Sequence, residues 1–188
     1  MLREMLILVA VLLAGVVTGL LSARWAADHP ALAGAVRAGP WQAWPDAGVA
    51  DAMPHARLRY YLDDALPPSP VDRLELLAEA DDEGDAFSAE CAYELRGAMP
   101  LVRTWILSVH LPSEQGRAVS ELHAEDAIFE PDGSLRIRLG ARPQAGNWLR
   151  LPRQGEVRLV LQLFGISPLQ RERILKSPPF TIRRTGCA

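Results

Sequence analysis

Between Met5 and Ala23 the chain runs nineteen residues without a charge, MLILVAVLLAGVVTGLLSA. A helix rising about 1.5 Å per residue covers about 28 Å over that length, close to the hydrocarbon thickness of a bilayer. Leucine, valine and isoleucine dominate the stretch, and a helix satisfies its own backbone polar groups in lipid. A cleaved secretory leader has a shorter apolar stretch and a small-x-small site. Leu21-Ser22-Ala23 approaches that pattern, but Arg24 and Trp25 follow at once. An uncleaved anchor is the favoured reading, with the bilayer as partner through residues 5–23 and Trp25 at the interface. Gly15 and Gly19 form a GxxxG, which lets a second helix approach closely, although small residues are common in spans. Arg3 is offset by Glu4, and Arg24 and Arg37 lie beyond the span, so charge alone does not orient it. A short leader before a single span places the amino terminus in the cytoplasm. The expected location is therefore a bacterial inner membrane, single-pass, with the soluble domain in the periplasm.

A length of 188 residues leaves room for about one domain beyond the span. The expected division is an anchor over 1–27, a connector over 28–50 and a domain over 51–188. Asp28 to Ala38 reads as a continuation of the helix, with Pro30 near its first turn. Gly39 to Gly48, GPWQAWPDAG, is a Pro/Gly-rich connector with two tryptophans. Pro54 fits a first helical turn, and Ala56, Leu58, Tyr61, Leu62 and Leu66 form an apolar stripe that ends at PPSP.

Beyond that point the apolar period switches to two. Leu74, Leu76 and Ala78 alternate with charged residues, as do Cys91, Tyr93 and Leu95. The acidic turn Asp81 to Ala86 between them predicts a hairpin. Trp105, Leu107, Val109 and Leu111 form another strand. Ala127 to Phe129 and Leu135, Ile137 and Leu139 suggest a second hairpin about Asp132-Gly133. Val157, Leu159, Leu161 and Leu163 follow, then a short helix capped by Ser167 with Pro168 at its first position. PPFTIRR reads as a terminal strand. Six or seven short strands with tight turns predict a mainly β fold: an antiparallel β-sandwich or jelly-roll-like domain with one or two short helices behind a single transmembrane helix.

Charge is divided along the chain. Residues 63–132 hold 17 acids and 4 bases, and residues 133–188 hold 2 acids and 11 bases. Strands of the two halves then either pair, with complementary solvent-facing charges, or present a basic, arginine-rich face to an anionic partner or to lipid headgroups. A nucleic-acid partner is not expected.

The search for chemistry finds few signatures. Cys91 reads as a small buried apolar residue, with a disulfide to Cys187 as the alternative in an oxidising compartment. His29, His55, His110 and His123 form no metal-type spacing, and no metal or cofactor is expected. DDEGD lacks the length and the distal glutamate of a calcium loop. Ser108 and His110 share one strand face, and such neighbours stand about 7 Å apart, too far for direct proton transfer without help. A polar-aromatic set remains: Arg57, Arg103, Trp105, Asn147 and Trp148. It has the ingredients of a small polar pocket. The structural alternative is a tryptophan capping the core and an asparagine bonding its own loop.

Several of these residues carry a resemblance. Gly39-Pro40-Trp41, Asp46-Ala47-Gly48, Pro54 to Arg57, the stretch LLAEADDEGDAFSAECAYELRG, Arg103, Trp105, Gly116-Arg117, Asp132-Gly133 and above all PQAGNW at Pro143 to Trp148 resemble the bacterial domain-of-unknown-function 1214 family. The resemblance spans roughly Gly39 to Arg184. It implies a β-sandwich and, as partner, a 1254-type domain in the same chain or a neighbouring gene. It implies no activity. The chain departs from the family at Thr104, where a second tryptophan is usual, and near His110-Leu111, where Tyr-Asp is usual. It departs again at Arg150 (usually proline) and Gln162 (usually arginine), so any family pocket at these positions is altered here. The expected function is a membrane-anchored envelope protein, a non-catalytic domain acting with a 1254-type partner. The alternative is a small-molecule-binding or hydrolytic domain with a pocket around Arg103, Trp105, Asn147 and Trp148.

Overall fold

The computed structural model describes residues 2–29, 34–62, 66–69, 71–112 and 117–187. Helix α1 spans Leu2–Asp28, β1 Val36–Ala38, β2 Trp41–Ala43, α2 Pro54–Leu62, β3 Arg73–Ala78 and β4 Cys91–Gly97. Then come β5 Thr104–His110, β6 Ala118–His123, β7 Leu135–Gly140, β8 Asn147–Arg150, β9 Arg158–Phe164, α3 Pro168–Lys176 and β10 Phe180–Cys187. The fold is mainly β. Two sheets face each other, one six-stranded in the order β1-β2-β3-β9-β5-β6, the other four-stranded in the order β10-β4-β7-β8.

The alternating apolar residues build the layer between the sheets. Leu74, Leu76, Trp105, Leu107, Val109, Leu159, Leu161 and Leu163 come from the first sheet, and Tyr93, Leu95, Ile137, Leu139, Leu149, Phe180 and Ile182 from the second. Burying one such side chain is worth about 1.5–3 kcal/mol against leaving it in water. On its outer face the six-stranded sheet carries a second cluster. Leu77 and Val160 are covered there by Ala56 and Tyr60 of α2 and by Trp44 and Ala47 of the preceding loop.

α1 contains a 25-residue segment, Leu2–Ala26, long and apolar enough to cross a membrane, and none of its most apolar stretch is buried. Its two half-buried described positions, Ala23 and Ala26, lie near its end, and the helix packs against α2. α3 begins as its sequence dictates. Ser167 accepts the Gln170 amide proton, Pro168 stands in the first turn, and Ile174 is buried.

Several expectations are corrected. Val36–Ala38 is a strand and not a prolonged helix, because its ladder with Trp41–Ala43 satisfies the backbone at the edge of the sheet. The tryptophan-bearing connector itself supplies β2, and Trp41 is fully buried with its indole donating to the Phe180 carbonyl at 2.9 Å. In α2 the buried residues are Ala56 and Tyr60, while Tyr61 and Leu66 face solvent. β3 and β4 form no hairpin. β3 pairs with β2 and β9, and β4 with β7 and β10. The acidic turn is closed by an isolated Ala80–Ala86 bridge, and Phe87 and Ala89 then enter the core, which carries the chain over to the other sheet. The Asp132-Gly133 turn is closed by a single Phe129–Leu135 bridge. β8 runs parallel to β7, the one departure from antiparallel order among the described strands.

The two charge halves do pair. Arg158 lies 2.8 Å from Glu79, and Glu94 stands between Arg138 and Arg183 in the second sheet.

Candidate functional site

Each member of the polar-aromatic set has a defined place. Arg57, on α2, donates to the carbonyls of Val49 and Ala50 and so braces the loop before its own helix. Arg103 is exposed at the start of β5 and pairs with Asp72 at 3.0 Å. Trp105 is buried in the core between the sheets. Asn147 is 6% exposed. Its Oδ1 accepts from the Ile128 amide at 2.7 Å, and its Nδ2 donates to the carbonyls of Ile128 at 2.7 Å and Arg136 at 3.0 Å. Trp148, half-buried, donates its indole N–H to the Gly140 carbonyl at 3.1 Å.

The orientation of β8 decides which of these meet. Asn147 and Leu149 face inward, so Trp148 and Arg150 face out. Trp105 and Trp148 therefore lie on opposite sides of the four-stranded sheet and line no common cleft. Arg57 sits on the outer face of the other sheet. The set is brought together only as parts of one scaffold. Gln162, where the resemblance leads one to expect an arginine, donates to Glu75 at 3.2 Å on the outer face of the six-stranded sheet.

Ser108 and His110 differ from expectation. The imidazole folds back along its strand face, and Ser108 Oγ lies 2.9 Å from His110 Nε2. The Cα spacing along a strand, about 7 Å, understates what a long side chain reaches. Burial holds the His110 imidazole below its ordinary value, opposed by Glu121 and assisted by Arg158. The pair nevertheless lacks the surroundings of a nucleophile. Ser108 is 3% exposed and lies 3.3 Å from the Val160 carbonyl, to which it donates. β5 is laddered on both sides, so the nearby amides are engaged in the sheet, whereas an oxyanion needs free donors.

The acidic turn is consumed by the terminal strand. Asp81 Oδ1 accepts from the amides of Glu83 and Asp85. Asp82 takes the Ile182 amide at 2.8 Å. Arg184 lies 3.2 Å from Asp81 and 3.3 Å from Asp85. Next to this clamp Cys91 and Cys187, opposed in register, form a disulfide. In the sequence that pairing stands second to a free buried thiol. Alternation alone could not place residue 187 opposite residue 91. Among the described residues no group of three His, Cys, Asp or Glu side chains is placed to hold a metal ion.

A cavity of about 390 Å³ lies between the pre-α2 loop and α2, lined by Trp44, Asp46, Val49, Asp51 and Met53 among others. Its only marks in the sequence are two tryptophans and two acids in a loop before a helix, a pattern that does not by itself announce a cavity. Arg57 contributes by holding Val49 at its wall.

A profile of the family described as protein of unknown function DUF1214 matches residues 72–168, just over half of the chain. The chain belongs to this family. The matched residues run from the start of β3 through β9 and so take in seven strands of the DUF1214 domain. Among solved structures, the VPA0106 protein from Vibrio parahaemolyticus superposes with a TM-score of 0.55 at 15% identity, over 72% of this chain and 36% of its own. An uncharacterized protein from Burkholderia cenocepacia aligns at 26% identity with a TM-score of 0.46, over 65% of this chain and 32% of its own. This DUF1214 chain thus spans about a third of the length of those two proteins. The Vibrio likeness shows the fold. None of the curated proteins matches the chain.

Proposed function

We propose that the protein is a membrane-tethered, non-catalytic β-domain of the bacterial envelope that acts together with a 1254-type sibling domain. The observation that carries this reading is the 25-residue apolar segment Leu2–Ala26 of α1, none of whose most apolar stretch is buried. A helix apolar all round and covered by nothing needs lipid. The Cys91–Cys187 disulfide supports the periplasmic side, because such bonds persist in oxidising compartments. The division into an anchor over 1–27, a connector over 28–50 and a domain over 51–188 belongs to the same proposal, with β1 and β2 of the connector forming one edge of the six-stranded sheet. Gly15 and Gly19 have open space around their Cα atoms, which suits close approach by a second helix. Support for a sibling unit comes from length: the chain accounts for 36% of the Vibrio protein.

The catalytic alternative loses its main support, since Trp105, Asn147 and Trp148 are each engaged in their own sheet. Two fusions test the proposal. A carboxy-terminal alkaline phosphatase is expected to be active and a carboxy-terminal green fluorescent protein dark, with the 1254-type protein co-purifying from native membranes in mild detergent. A bright fluorescent fusion overturns the orientation. Repeated purification without the sibling overturns the partnership.

A further inference from the structure

At one end of the sandwich the loops leave apolar side chains in water. Arg73 at the start of β3, Phe164 at the end of β9 and Thr104 at the start of β5 stand side by side in register. The loops beyond them are stitched together. The Gly165 amide donates to the Asp72 carbonyl at 2.8 Å, the Arg103 amide to the Phe164 carbonyl at 2.9 Å, and the Arg103 guanidinium to the Asp72 carboxylate. Gly165 is required at this junction: its φ is +67°, and a Cβ would meet that of Arg103 at 2.5 Å. From this rigid base project Val71, 83% exposed, Leu101, 84% exposed, and Leu169 of the first turn of α3, 59% exposed. One exposed leucine is ordinary. Three apolar tips on neighbouring loops, with the neutralised Arg103–Asp72 pair among them, have the composition of a surface that rests in the headgroup region: apolar groups at the acyl boundary and a polar ion pair at the headgroups.

The path of the chain places a bilayer nearby. β1 runs from Val36 opposite Ala43 to Ala38 opposite Trp41, and Trp41 stands opposite Ala78. Arg73 is at the other end of β3 from Ala78, so the chain coming from α1 enters the sheet travelling away from the Arg73 end. Only the short segment between Asp28 and Val36 separates α1 from that entry. β1 thus enters the sheet from the side where the three apolar tips lie, and Trp25, exposed near the end of α1, is an aromatic suited to a membrane interface.

We infer that the Val71, Leu101 and Leu169 end of the sandwich seats on the leaflet from which α1 emerges. The domain is then held in a fixed attitude, with the acidic turn pointing away from lipid, and does not swing freely on its tether. This inference rests on α1 being a membrane span. Its test exploits the disulfide, which leaves the native chain without a free thiol. The full chain is placed in nanodiscs of phosphatidylcholine and phosphatidylglycerol. A fluorophore is attached to Leu101→Cys, Val71→Cys, Glu83→Cys in the acidic turn, or Val11→Cys within α1. Quenching by lipids carrying a shallow nitroxide is then read. Leu101→Cys and Val71→Cys are expected to quench about twofold more than Glu83→Cys, as for groups at the headgroup boundary, and Val11→Cys to be quenched as well. If Val11→Cys is quenched while Leu101→Cys and Val71→Cys behave like Glu83→Cys, the seating is wrong and the anchor stands. If Val11→Cys is not quenched, the anchor reading fails and the seating falls with it.

Discussion

Asn147 uses its whole amide on its own fold, one acceptor and two donors each within 3.0 Å of a backbone partner. That makes it a clasp between the Ile128 segment and β7. Replacing it by alanine leaves buried backbone groups without partners, at a cost of about 2–4 kcal/mol. Urea unfolding of Asn147→Ala is expected to show that loss with an unchanged slope, while Trp148→Phe, which removes one half-buried hydrogen bond, costs about 1 kcal/mol. His110 has a different signature. Its folded-state value lies below the ordinary one because burial disfavours the cation. The unfolded chain therefore takes up the proton first as pH falls. The stability contributed by neutral His110 is complete above its unfolded value, about 6.5, and is lost as pH falls from there through the depressed folded value. His110→Gln is expected to flatten the stability profile between about pH 7 and 5. An unchanged slope would show that the imidazole is not the group responsible.

At the scale of elements, the terminal strand is held in three ways: by its ladder with β4, by the acid–arginine clamp, and by the Cys91–Cys187 bond across a separation of 96 residues. Closing a loop of that size lowers the conformational entropy gained on unfolding, enough to account for roughly 4–5 kcal/mol in the chain-entropy account. Cys187→Ser is expected to lower the unfolding midpoint markedly, and dithiothreitol to destabilise the native protein but not the variant. Equal sensitivity of both would contradict the crosslink. Much of this architecture was legible in the sequence. Leu74, Leu76 and Ala78, or Leu135, Ile137 and Leu139, announce strands because every second side chain must be apolar to face a core. What alternation cannot show is which strand lies beside which. The acidic turn carries all the local marks of a hairpin, yet β3 and β4 diverge because Phe87 and Ala89 are buried between them. β8, four residues long and parallel to its neighbour, has no local signature at all. The polar-aromatic set was legible as residues and not as a site, since composition does not say that Trp148 faces out while Trp105 faces in.

Taken whole, the molecule is a two-sheet body whose first helix has an apolar surface that is left uncovered among the described residues. Removing residues 2–26 is expected to give a soluble protein with the same disulfide and an undiminished unfolding midpoint, because α1 touches the body only near its end, where Ala23 and Ala26 are half-buried. A truncated form that fails to fold would mean that α1 belongs to the core. The central claim is that a lipid-spanning α1 tethers a disulfide-closed sandwich, and intact mass spectrometry of the protein extracted from carbonate-washed membranes tests it most directly. The account predicts, in the membrane fraction, a chain that retains the apolar segment Leu2–Ala26 and weighs two hydrogens less than its reduced form. A soluble species lacking the first two dozen residues, or a membrane species with both thiols free, would contradict it.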